Sequence, residues 1–125
     1  MSRDIYIFYN RRPDGKQMQD CVCRAISTAL GISYPATDKL LNLVADQYGC
    51  EKLYVDCYGH LLSDIFGYKK YFPRSEMTVE QLIENYPDKR LIIRVNGHLT
   101  SSIMGTLLDI WDCSNEIVDC YWVVE

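Results

Sequence analysis

The sequence predicts an α+β domain, with helices gathered in the first two thirds of the chain and an antiparallel sheet at its end. Two observations carry this. Apolar residues recur at helical spacing between Asp20 and Tyr48, and four short runs rich in Ile, Leu, Val, Thr and Trp follow one another after Pro87, separated by turn-forming pairs. Helices first and strands afterwards, without βαβ alternation, place the early helices on one face of the sheet. The 125 residues are 48% hydrophobic and 24% charged, enough for one core, and no linker or repeat divides them, so residues 1–125 form a single domain.

The elements follow in order. Ile5 to Tyr9 alternates aromatic and β-branched residues and runs into Asn10-Arg11-Arg12-Pro13-Asp14-Gly15, a strand and then a loop. From Asp20 to Gly31, Val22, Ile26, Ala29 and Leu30 share a helical face, with Asp20 as N-cap and Gly31 as terminator. A second helix runs from about Pro35 to Tyr48, with Leu40, Leu41, Val44 and Ala45 inward and Gly49 as its stop. Leu61, Leu62, Ile65 and Phe66 suggest a short helix before Gly67 and the strand-like Tyr68–Phe72. Thr78-Val79-Glu80-Gln81 has the spacing of a capping box and opens a helix that Pro87 ends. The strands are Arg90 to Val95, His98 to Ile103, Thr106 to Trp111 and Asp119 to Val124, joined as a meander through Asn96-Gly97, Met104-Gly105 and Cys113-Ser114-Asn115-Glu116.

Charge and cysteine usage narrow the function. Lys plus Arg number 13 against 17 Asp plus Glu, a net charge of −4, which argues against a nucleic-acid binder. Ile5–Tyr9 is far shorter than a signal-peptide core or the roughly 20 apolar residues of a membrane span, so no membrane role is expected and the chain reads as cytoplasmic. Accordingly the six cysteines (Cys21, Cys23, Cys50, Cys57, Cys113, Cys120) read as reduced thiols. Their spacing lacks the Cys-x2-4-Cys pairs of structural zinc sites, and no Cys-x-x-Cys or phosphate-binding glycine loop is present, so no metal or cofactor is expected.

One cysteine has the surroundings of a nucleophile. Cys21 falls in the first turn of a helix, where unpaired N–H groups and the macrodipole favour a thiolate, and the N–H groups of Cys21 and Val22 can receive an oxyanion. Cys23 lies about 200° around the helix at ~100° per residue and belongs to the core. Of the two histidines, His98 opens a strand at the sheet rim and is the better base, whereas His60 lies beside Gly59 in a less regular segment. The residue that orients the imidazole depends on strand register. A three-residue Met104-Gly105-Thr106 turn sets His98 across from Asp112, the preferred partner, and a two-residue Met104-Gly105 turn puts Asp109 on the face of His98. Trp111, expected with Trp122 to anchor the sheet, sits beside Asp112 where it can shield the pair from water, and Tyr54, Tyr58, Tyr68, Tyr71 and Phe72 are candidates to line a groove.

Asp20-Cys21-x-x-Arg24-Ala25-Ile26, then Gly97-His98-Leu99-Thr100, then Asp109-Ile110-Trp111-Asp112-Cys113-Ser114 resembles the papain-like cysteine peptidases, closest to the compact bacteriocin-processing, double-glycine group and its small phage- and mobile-element-encoded relatives. The resemblance implies a papain-like fold with Cys21 as nucleophile, His98 as general base and then acid, Asp112 as the orienting residue, and a peptide or protein substrate. The family's oxyanion glutamine falls at Gly15 here, leaving Gln17 and Gln19 as nearby substitutes. The expected activity is cleavage of a peptide or isopeptide bond. The alternatives are deamidation or acyl transfer by the same triad, and an inactive fold kept as a protein-binding module.

Overall fold

A computed structural model describes residues 5–17 and 20–125. Its elements are β1 (Tyr6–Phe8), α1 (Cys21–Leu30), α2 (Tyr34–Tyr48), α3 (Val55–Gly59) continued by a π-helical stretch (His60–Ile65), β2 (Lys70–Tyr71), α4 (Val79–Asn85), β3 (Arg90–Val95), β4 (His98–Ile103), β5 (Thr106–Asp109) and β6 (Val118–Val124). The α+β class and the helix-then-strand order agree with the sequence reading.

The sheet is larger and differently connected than a four-stranded antiparallel meander. Its six strands lie in the order β1-β5-β4-β3-β6-β2. Strands β3, β4 and β5 form the expected meander, but β6 crosses back to pair with β3, and β1 joins β5 in parallel, so the sheet is mixed. The return of β6 follows from its composition. Tyr121 and Trp122 stand beside Ile93 and Ile92 in the middle of the sheet, where their large side chains find apolar neighbours on both faces.

Each face carries its own core. On one, α1, α2, α3 and the π-helical stretch cover Ile92, Leu99, Cys120 and Trp122; on the other, Val79, Leu82 and Ile83 of α4 cover Leu91, Ile93, Val95, Leu107 and Tyr121. The capping box is made in full: the Thr78 hydroxyl accepts from the Gln81 N–H, and the Gln81 side chain accepts from the Thr78 N–H. Helix α1 is enclosed, with every residue from Val22 to Ala29 buried, and its first turn borders a surface cleft. That helix holds Cys21 in place.

Several local expectations change. The β4–β5 turn is the two-residue Met104-Gly105, with both residues at positive φ (50° and 83°), so Ile103 pairs with Thr106 and Ser101 with Leu108. Strand β5 ends at Asp109, short of Trp111, which is 44% exposed, while Trp122 is buried as expected. Only Lys70–Tyr71 of the strand-like 68–72 segment pairs with the sheet. Cys50 and Cys57, read as reduced thiols, form a disulfide with their Cα atoms 5.5 Å apart; Cys21, Cys23, Cys113 and Cys120 are free. Cys50 follows α2 and Cys57 lies in α3, so the turn between the two helices brings together thiols seven residues apart. No helix among the described residues is long and apolar enough to cross a membrane.

Trp122 is the largest fully buried side chain; its indole N–H donates to Ser63 Oγ at 3.2 Å and its ring meets Tyr58 edge-on. Trp122→Ala is expected to cost about 3–5 kcal/mol of stability, seen as a lowered urea midpoint with far-UV signal retained at low urea.

Candidate active site

Cys21 stands at the entrance of α1 and lines a cleft of about 620 Å³ together with His98, Asn96, Gly97, Leu53, Tyr54, Ile110 and Trp111. The cleft forms where the α1 N-terminus, the start of β4, the segment after β5 and the turn before α3 meet. Asp20 occupies the N-cap position but its carboxylate makes no capping bond, so it leaves the first-turn N–H groups, those of Cys21 and Val22 included, without a side-chain acceptor. These are the donors a developing oxyanion requires.

The turn register decides the partner of His98. Asp109 closes β5 on the same sheet face as His98, and its Oδ2 lies 2.6 Å from His98 Nε2. Asp112, the preferred orienting residue, is displaced: it is exposed and its Oδ1 accepts from the Ser114 N–H at 3.1 Å, an Asx turn outside the site. A one-residue change of turn length moved the carboxylate role from the end of the next loop to the end of the strand. With Nε2 engaged by Asp109, the Nδ1 edge of the ring is the one available to Cys21. Trp111 meets the His98 ring edge-on with centroids 4.9 Å apart, covering the imidazole from the solvent side.

Asp109 is itself held by a residue that spacing alone did not single out. Arg24 donates through Nη1 to Asp109 Oδ1 (3.0 Å) and through Nε to Asp20 Oδ1 (2.7 Å), and the Ile110 N–H also donates to Asp109 Oδ1 (2.7 Å). Asp20 Oδ2 in turn accepts from the Tyr34 hydroxyl at 2.6 Å and from Arg12 Nη1 at 3.3 Å. The side chains of Arg24 and Asp109 are only 7% and 2% exposed. Charges therefore alternate from the surface inward: Arg12, Asp20, Arg24, Asp109, His98, Cys21. Arg24 sits one helical turn after Asp20, so an i, i+4 pair was visible in the sequence; its reach to Asp109, 85 residues away, was not.

Electrostatics follow from this chain. Burial pushes the Cys21 thiol up, but the bond to His98, the Leu99 backbone N–H and the positive charges of His98 and Arg24 outweigh it and hold its pKa below 9.0. Burial alone lowers the pKa of His98; its bonds to Asp109, Cys113 and Cys21 reverse this and raise it to about 11. Burial also opposes ionisation of Asp109, yet the His98 hydrogen bond and charge hold its pKa below the ordinary carboxylate value. Cys23, buried with Asp38 and Asp20 as its next influences, is pushed up to about 12 and stays a thiol. Of two thiols two residues apart, Cys21 is the one whose ionisation the surroundings favour.

The other candidates fall outside. Gln17 is exposed and lines no part of the cleft, and Gln19 lies outside the described residues. His60 stacks on Tyr48 (centroids 4.0 Å) and bonds Asp64 at 2.6 Å, away from the site. Tyr54 lines the cleft and Tyr58 a smaller recess beside it, whereas Tyr68, Tyr71 and Phe72 line separate depressions. No known protein family, curated protein or solved structure matches this chain.

Two outcomes test this geometry. Asp109→Asn is expected to slow iodoacetamide alkylation of Cys21 at neutral pH by at least about tenfold, with Asp112→Asn close to wild type, read by mass spectrometry of the Cys21 peptide. The second concerns stability against pH. The raised pKa of His98 and the lowered pKa of Cys21 act on stability with opposite signs: the contribution of His98 is lost as pH rises, whereas that of Cys21 is gained. In Cys21→Ser only the His98 linkage remains. Its stabilisation, complete below pH 6.5, is then lost steadily as pH rises towards the folded value, so denaturation midpoints of this variant should decline across pH 7–9 more steeply than those of the wild type.

Proposed function

We propose that this protein is a thiol hydrolase of papain-like type that cleaves a peptide or isopeptide bond in a peptide or protein substrate. The observation that carries the reading is the Asp109–His98 hydrogen bond beside Cys21, with Cys21 and His98 lining one open cleft and the thiol at a helix N-terminus with its pKa lowered. Asp109 takes the role first expected of Asp112.

The chemistry runs in two halves. The Cys21 thiolate attacks the substrate carbonyl carbon, forming a C–S bond and moving the carbonyl π pair to oxygen, where the N–H groups of Cys21 and Val22 stabilise it. Collapse of this oxyanion breaks the C–N bond while His98 passes its proton to the departing amine. Water then attacks the thioester and gives a proton to His98, the tetrahedral intermediate collapses with cleavage of the C–S bond to release the Cys21 thiolate, and the acid product leaves with the thiolate–imidazolium pair restored. Asp109 keeps the ring oriented and stabilises the imidazolium throughout, with Arg24 as its positioning residue.

The position of Gln17 outside the cleft favours a second reading, an inactive fold that binds a protein partner. One experiment separates them. The wild-type chain and Cys21→Ser, His98→Ala and Arg24→Lys are incubated with a proteome-derived peptide library, and new termini and thioester adducts are identified by mass spectrometry. Hydrolysis is expected for wild type, none for Cys21→Ser, at least about 100-fold less for His98→Ala and a reduced rate with an altered pH profile for Arg24→Lys, which keeps the charge but loses the planar fork. Slow, His98-independent alkylation of Cys21 together with no new termini would leave the binding module.

A further inference from the structure

Cys113 is a buried thiol to which the hydrolase reading gives no task. It follows β5 by four residues, and its Sγ lies 4.0 Å from Asp109 Oδ2. A ring nitrogen of His98, a carboxylate oxygen of Asp109 and Cys113 Sγ all lie within 4.8 Å of one another, and among the described residues no other three His, Cys, Asp or Glu side chains meet in this way.

We propose that His98, Asp109 and Cys113 form a binding site for a zinc-class divalent cation, reached through the cleft. One nitrogen, one oxygen and one sulfur suit a borderline-soft ion of tetrahedral habit, whereas magnesium and calcium favour oxygen alone. Bond lengths of about 2.0–2.3 Å put ligand atoms roughly 3.3–3.7 Å apart around such an ion. The 2.6 Å His98–Asp109 contact has to open by less than 1 Å, and the 4.0 Å Cys113–Asp109 separation to close by a few tenths.

The outer contacts also fit. Asp109 Oδ1 is saturated by Arg24 Nη1 and the Ile110 N–H, which leaves Oδ2 as the ligand atom and fixes its direction. The carboxylate and the Cys113 thiolate together balance the dication, and the charge of Arg24 is offset by Asp20 on its other side. On binding, Cys113 releases its thiol proton and His98 the proton of its coordinating nitrogen, both to solvent; metal–N, metal–O and metal–S bonds form, and the cleft supplies a water for the fourth position. An occupied site separates His98 from Asp109, so the same ion silences Cys21. That last consequence rests on the hydrolase reading, while the binding itself does not.

The test uses the full chain with Zn²⁺ and, as a spectroscopic substitute, Co²⁺. Zinc is measured by competition with a chromophoric chelator and cobalt by its thiolate-to-metal charge-transfer absorption. One ion per chain is expected, with the charge-transfer band kept in Cys21→Ala and lost in Cys113→Ser, and affinity reduced at least about tenfold in His98→Ala, a rim substitution that spares the core. Far-UV circular dichroism checks that Cys113→Ser is folded, and if it is not, the His98→Ala and Cys21→Ala results decide. Absence of stoichiometric uptake, or a charge-transfer band lost in Cys21→Ala, would overturn the proposal. Cys21 alkylation without metal reports on the hydrolase reading separately.

Discussion

The buried ion pair between Arg24 and Asp109 is the constraint on which the candidate site depends. Removing two charges from water costs several kcal/mol per ion unless both are fully hydrogen-bonded. Here each is. Arg24 lies between two carboxylates, and Asp109 accepts from Arg24, the Ile110 N–H and His98. The pair ties the first turn of α1 to the end of β5, and Cys21 and His98 are thereby held at a common corner. A well-packed apolar pair could stabilise the fold as much; it would not orient an imidazole.

Alternation of charge also explains why one thiol among the four free ones is set apart. Cys21 ends a series that begins with the solvent-accessible Arg12, and every neighbour carries the opposite sign. Cys23 shares the helix and the burial but faces Asp38 and Asp20, so the same desolvation that His98 counters at Cys21 is reinforced there. Cys113 lies against the same Asp109 oxygen that bonds His98, where a soft ligand atom beside a nitrogen and an oxygen has metal chemistry open to it.

Legibility in the sequence followed the range of the interactions. Helix α1 and the place of Cys21 in its first turn could be read from Asp20-Cys21 and the periodicity to Leu30, and α4 from its capping box, because both depend on contacts within a few residues. The β3–β4–β5 meander could be read from its turn pairs. Asp109 and Asp112 remained alternatives because the choice turned on whether Met104-Gly105 forms a two-residue turn, and a single-residue slip moves a side chain to the other face of the strand. The Cys50–Cys57 bridge could not be read from spacing, because it depends on how the turn between α2 and α3 folds back.

By itself the sequence determined the α+β class, most helix and strand boundaries to within a residue or two, and the pairing of a helix-start cysteine with a strand-start histidine. These rest on local periodicity, capping and turn chemistry, which a chain carries wherever it folds. Tertiary structure decided the place of β6 beside β3, the parallel attachment of β1, the choice of Asp109, and the reach of Arg24 across 85 residues. Each depends on which distant surfaces bury one another, and a buried charge has no preferred partner until the fold has removed it from water.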